Sequence, residues 1–159
     1  MKLSEFIVKD AIRPELQSAD RDGAIRELVA ALATAGALPQ SALEEVVTAL
    51  IKREQNGSTG FGKGVAVPHA KHPQIKKMVG AIGLSAAGID FAALDHQPVF
   101  TIFLLLSPEN QPQQHLGAMN IVFSNLQEDV FRRFLRQCKT PEAVVDLLDE
   151  ADQGKWVRK

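Results

Sequence analysis

The run from Arg53 to Lys71 reads R-E-Q-N-G-S-T-G-F-G-K-G-V-A-V-P-H-A-K and holds four of the chain's eleven glycines. It sets a permanently charged guanidinium (Arg53), two hydroxyls (Ser58 and Thr59) and an imidazole fixed behind a proline (His69) within one short stretch. Arginine forks and hydroxyl donors suit a phosphoryl group. A neutral imidazole is a good nucleophile near neutral pH, because its ordinary pKa is about 6.5. Its attack on a phosphoryl donor would store the group as a phosphohistidine. His69 is therefore the candidate nucleophile. The chain has three other histidines, His72, His96 and His115. His69 follows the apolar triplet Val65 to Val67, and His115 lies a loop beyond the apolar run Val99 to Leu106. Functional groups in α/β sheets gather beyond the carboxyl ends of strands. If those two strands are parallel neighbours, the two imidazoles meet, and Arg53 can reach the same place. His72 and His96 read as solvated surface residues.

Two other chemistries fit less well. Gly57 to Gly64 almost matches the phosphate-cradling pattern G-x-x-x-x-G-K-[ST], but Gly64 has no hydroxyl for a metal ion. The apolar triplet and a proline then follow where that motif needs a helix, which excludes nucleotide hydrolysis. His69 and His72 have the H-x-x-H spacing of a metal pair, yet Pro68 and Pro73 keep them off a common helical face. No metal site and no cofactor is expected.

The elements around these groups follow from periodicity. The first dozen residues are weakly patterned, and Pro14 blocks a helix through them. Ile25, Leu28, Val29 and Leu32 make the inner stripe of a helix capped by Asp20 or Asp22 and stopped near Gly36. Ser41 and Glu44 fit a capping box for a second helix, with Leu43, Val46, Val47, Leu50 and Ile51 inward. Val65 to Val67 and Val79 to Leu84 read as strands, and Ala86 to Ala93 as a turn with further extended chain. The run V-F-T-I-F-L-L-L (Val99 to Leu106) is apolar on both faces, as in a central strand covered on both sides. A helix from about Gln113 would face inward through Leu116, Met119, Phe123 and Leu126. Val130, Phe131, Phe134, Leu135 and Cys138 mark another. Thr140-Pro141 opens a last helix. The expected architecture is one α/β domain over residues 1–150, a mixed, mostly parallel β-sheet flanked by helices on both sides. Residues 151–159 form an expected frayed tail.

Composition narrows the partners. The 159 residues are 45% hydrophobic and 23% charged, with a net charge of −1. That balance gives no electrostatic case for nucleic acid or an anionic membrane. No apolar run reaches membrane-spanning length, and the first ten residues lack the apolar core of a signal peptide. The single cysteine, Cys138, excludes an internal disulfide. A cytoplasmic location is expected.

The stretch Arg53 to His69, together with G-I-D-F-A-A-L-D-H-Q-P-V, F-L-L-L-S-P-E and His115-Leu116, resembles the enzyme IIA domains of the bacterial sugar phosphotransferase system, fructose/mannitol and nitrogen-regulatory class. The resemblance covers nearly all the chain from the second predicted helix to the last. It implies a mixed sheet flanked by helices and a phosphocarrier role. His69 would accept the phosphoryl group on Nε2, Arg53 would support it, and His115 would lie beside it. Ser58 and Thr59 match the hydroxyl positions. The implied partners are phospho-HPr or a paralogue as donor, and an enzyme IIB domain or a regulatory target as receiver. Two departures stand out: Phe61 where Ile or Leu is common, and Ala70 where glycine usually follows the histidine, which could alter the backbone there. The resemblance of the N-terminal region to free-standing nitrogen-type members favours regulation over sugar transport.

Overall fold

A computed structural model describes residues 1–157 of the chain. Its centre is β6 (Val99–Ser107), whose alternate side chains serve two different cores. Ile102, Leu104 and Leu106 point to one face, whereas Phe103 and Leu105 point to the other. That is why the run shows no polar alternation.

β6 pairs antiparallel with β5 (Val79–Ile89) on one side. Along its other edge it pairs in parallel with two short strands in succession, β3 (Val65–Ala66) and β4 (His69–Lys71). Pro68 lies between those two and has no N–H to give the ladder. The outer strands are β1 (Ile7–Arg13), parallel to β5, and β2 (Gly60–Gly62), antiparallel to β3. Three of the five pairings are thus parallel, in a mixed sheet of order β1-β5-β6-β3-β2 with β4 also on β6.

On one face lie α2 (Arg21–Thr34) and α3 (Leu43–Gln55), burying Ile25, Leu28, Leu32, Val46 and Leu50. On the other lie the short α1 (Leu3–Phe6), α4 (Pro112–Leu126), α5 (Asp129–Gln137) and α6 (Pro141–Asp152). The flanked sheet expected from the sequence is what forms. Among the described residues no helix is long and apolar enough to cross a membrane.

Several local expectations need correction. The weakly patterned N-terminus is a one-turn helix followed by an edge strand. Extended chain runs through Ala86 without the expected turn, making β5 one strand of eleven residues. Asp20 does cap α2, accepting from the Gly23 N–H at 2.7 Å. The Ser41–Glu44 capping box is absent, because a 3-10 turn, Gln40–Ala42, runs directly into α3. Glu44 instead reaches Arg26 on α2 at 2.6 and 3.1 Å. In α4 the inner face is rotated: His115, Ala118, Val122 and Leu126 are buried, while Leu116 is 61% exposed. Thr140 caps α6 as its sequence suggests, accepting from the Ala143 N–H at 3.1 Å. The chain end is anchored as far as Trp156, which packs on Phe131 and Phe134 and donates to the Leu147 carbonyl at 3.3 Å. Asp152 also accepts from the Leu3 and Ser4 amides at 2.6 and 3.0 Å, tying α6 to the N-terminus. The last two residues of the expected tail, 158 and 159, lie outside the described residues.

Candidate active site

The glycine-rich stretch is a hairpin, not a phosphate loop. β2 turns into β3 through Lys63 and Gly64, with φ of 61° and 76°. Two successive left-handed residues make the tight hairpin turn whose twist matches its strands. Gly60 is required by a close approach, since a Cβ there would stand 2.9 Å from that of Ala93.

Behind the hairpin a chain of hydrogen bonds runs from α3 to His69. The Glu54 carboxylate, almost fully buried, accepts from the Thr59 N–H at 3.1 Å and from its hydroxyl. The Thr59 carbonyl accepts from the Val67 N–H at 3.2 Å. The Val67 carbonyl lies 2.9 Å from Nδ1 of His69. A carbonyl can only accept, so Nδ1 carries the proton and Nε2 keeps its lone pair. The loop therefore fixes which nitrogen of His69 keeps a free lone pair. His69 itself is half-buried at the start of β4. Ala70 continues β4 in extended conformation, opposite Leu106, so no positive φ is demanded where the family commonly has glycine.

His115 comes from the first turn of α4, and its ring centroid stands 5.4 Å from that of His69, tilted by 52°. It is buried, and its Nδ1 is 2.6 Å from the hydroxyl of Ser107, the last residue of β6. The same hydroxyl is 2.8 Å from Sδ of Met78. Burial, then electrostatic interaction with His69 and Lys71, push the pKa of His115 below its ordinary 6.5. It is thus neutral at physiological pH. The imidazole nitrogen is a better acceptor than the thioether. With the hydroxyl turned toward Nδ1, the His115 proton sits on Nε2.

The structure brings His69 and His115 together, as their places in the sequence suggested. The polar groups of the other three expected residues are engaged in hydrogen bonds that hold the loop. Arg53 donates through Nη1 to the Gly57 carbonyl at 2.6 Å, closing the end of α3 and leaving its other N–H groups available. Ser58 donates to the Phe91 carbonyl at 2.6 Å and accepts from the Gly60 N–H at 2.9 Å. Thr59 is held by Glu54. His96 is exposed, as expected. His72 is not the solvated residue expected: it is only 8% exposed, with Nε2 2.8 Å from Glu45 and Nδ1 accepting from the Gln74 N–H at 3.1 Å. Sequence reasoning missed Ser107, Lys71 and Glu54. Only the last had a local signal, an acid beside Arg53 at the mouth of the glycine loop.

Leu116, Met119 and the edge-to-face pair Phe61–Phe123 (centroids 4.9 Å apart) add apolar surface on α4 and the hairpin. Phe61 is half-buried in that pair.

Comparison with known proteins agrees with this arrangement. The chain is 33% identical over 148 residues to a nitrogen regulatory protein of Bradyrhizobium diazoefficiens, covering 93% of this chain and 95% of that one. It is 31% identical over 154 residues to the fructose-specific EIIABC component of Bacillus subtilis; there it covers 96% of this chain but only 24% of that protein. The crystal structure of nitrogen regulatory protein IIA-Ntr from Neisseria meningitidis superposes with a TM-score of 0.82 at 28% identity, covering 92% of this chain and 98% of that one. Residues 5–151 match the family described as phosphoenolpyruvate-dependent sugar phosphotransferase system, EIIA 2, and the chain belongs to that family.

Proposed function

We propose that His69 is the phosphoryl acceptor and that Nε2 is the atom that bonds to phosphorus. The observation that carries this is the Nδ1–Val67 contact, which leaves a directed lone pair on Nε2 beside a second imidazole. In the transfer, the Nε2 lone pair attacks phosphorus in line with the donor's P–N bond. A new P–N bond forms, the old one breaks, and its electron pair returns to the donor imidazole. The protein's contribution is positioning and charge stabilisation.

His115 stabilises the transferred group from its free Nε2. A dianionic phosphoryl beside it raises its proton affinity, opposing the effect of burial. Once protonated, its Nδ1–H donates to Ser107 Oγ, whose own hydrogen turns to Met78 Sδ. Nδ1 of His115 thus stays paired with Ser107 in both states. Arg53 offers its remaining N–H groups to the phosphoryl oxygens. Ser58 and Thr59 act by holding the loop in shape, with their hydroxyls turned to the phosphoryl group only if the loop rearranges.

The donor is the phosphorylated small carrier HPr or a paralogue, docking over Leu116 and the Phe61–Phe123 pair. The receiver is an enzyme IIB domain, or the phosphorylation state is itself the output, read by a regulatory target. Nearly full-length similarity to a nitrogen regulatory protein supports the regulatory reading, and the same coverage of a fructose-specific EIIA component supports relay to a IIB domain. Incubation with phosphoenolpyruvate, enzyme I and HPr, followed by mass spectrometry under alkaline conditions, tests the shared step. One phosphate is expected on the peptide containing His69; phosphate persisting in His69→Ala would refute the assignment.

A further inference from the structure

One charge of the glycine-rich loop takes no part in the His69 site. Lys63, at the tip of the β2–β3 hairpin, donates its amide N–H to Asp95 and its ammonium to the neutral Gln127 amide, both at 3.1 Å. It lines a cleft of about 640 Å³ between the hairpin, the far half of β5 and α5. Phe100 forms part of the wall, five residues before the His69 partner Leu105 on β6, or about 16 Å along the strand. The cleft and the His69 site therefore occupy opposite ends of the sheet.

Its charge is unbalanced. Arg132, Arg133, Arg136 and Lys139 join Lys63 in the lining, with a single carboxylate among the described residues, Asp129. Asp129 is already divided between Arg132 at 3.3 Å and Arg133 at 3.6 Å. Arg136 and Lys139 have no carboxylate partner among the described residues. A chain with a net charge of −1 has no general excess of cations to explain this. Gathering like charges in one concavity works against folding unless an anion joins them.

Arg136 is also held ready. Its guanidinium lies 3.7 Å over the Phe100 ring, and among the described residues its N–H groups make no hydrogen bond or ion pair. Phe100 is seated between two glycines: a Cβ at Gly64 or Gly88 would stand 3.1 or 2.8 Å from its surroundings, with the ring at 3.1 and 3.0 Å respectively. A guanidinium seated on a ring face suits the bidentate geometry of a phosphate. The volume is that of a small-molecule site rather than of a protein footprint.

We propose that this cleft binds a small anion carrying two or more phosphate groups, gripped by the edge of Arg136 together with Lys139, Arg133 and Lys63. Calorimetric titration of the full chain at about 150 mM salt with tripolyphosphate, pyrophosphate and ADP tests it, with sulfate at matched ionic strength as the control. Saturable binding of one tripolyphosphate per chain is expected, weakened by about tenfold or more in R136Q and further in R136Q/K139Q. Phosphorylation of His69 in those variants should match the parent, showing that they fold. ADP and pyrophosphate binding equally would identify the phosphate chain alone as the recognised group; tighter ADP would add the nucleoside. The proposal is overturned if tripolyphosphate does not saturate, if sulfate gives the same response, or if the double variant binds unchanged. It is also overturned if phosphatidylglycerol vesicles or polyglutamate bind this face while tripolyphosphate does not.

Discussion

His69 begins β4 and His72, three residues on, directly follows it, and their surroundings make opposite use of the same ring. At His69 a carbonyl takes the Nδ1 proton, and among the described residues no hydrogen-bond partner occupies Nε2. At His72 both nitrogens are committed: Nδ1 accepts from a backbone N–H, so Nε2 carries the proton and gives it to Glu45. One ring has a lone pair to offer and the other has none. Burial does not separate them, for His72 is the more buried of the two. What distinguishes His69 is an unfilled ring nitrogen and a second imidazole whose centroid stands 5.4 Å from its own.

That contrast can be broken from either side. The largest effect is expected from His69→Ala, which should abolish phosphoryl acceptance while the thermal midpoint stays near that of the parent; a phosphorylated variant would transfer the role elsewhere. Next, His115→Ala and Arg53→Ala should each slow transfer by about 100-fold, the scale of losing one stabilising donor, as measured by rapid-quench kinetics. Unchanged rates would remove either residue from the site. Ser107→Ala should slow transfer by about tenfold and cost about 1–3 kcal/mol in denaturant unfolding, since it strands the buried Nδ1 of His115. A stability loss with transfer intact would make Ser107 purely structural.

A smaller effect is expected in pH dependence. Folded His115 binds its proton more weakly than the ordinary value of about 6.5. As pH falls below that value, the unfolded chain takes up a proton that the folded chain refuses, so stability should drop through the folded pKa. His115→Gln should flatten this acid slope in urea titrations followed across pH 5 to 8; an unchanged slope would remove His115 as its source. Phosphorylated protein should also show a flatter slope, because the dianion restores the proton affinity of His115. The smallest effect belongs to His72→Gln. It gives up a bond to the largely exposed Glu45 carboxylate, worth about 1 kcal/mol or less, and should leave transfer within about twofold of the parent, as one uncatalytic contact should. A large loss there would erase the distinction between the two rings.

Much of this was legible in the sequence, for identifiable reasons. β6 is announced by an apolar run that serves two cores, and His69 by glycines and a proline that only a constrained backbone requires. His115 is legible as a histidine just past a strand. Its partner Ser107 reads only as the residue that ends the strand, because nothing local tells whether a hydroxyl turns inward. His72 looks solvated between a lysine and a proline, since Glu45 lies 27 positions away and is brought in by α3. β1 escapes because an edge strand pairs on one side only and shows charged residues, Lys9 and Asp10, to solvent. The inner face of α4 is misread because hydrophobicity marks Leu116 as core, whereas packing buries His115 in its place. The cationic cleft is invisible in a net charge of −1, which averages over the whole surface.

The most direct test is nitrogen NMR of the imidazoles in protein phosphorylated through enzyme I and HPr. Phosphorus coupling to Nε2 of His69, with its Nδ1 still protonated and both nitrogens of His72 unmodified, is the predicted result. Phosphate on Nδ1 of His69, or on any other histidine, would contradict the account.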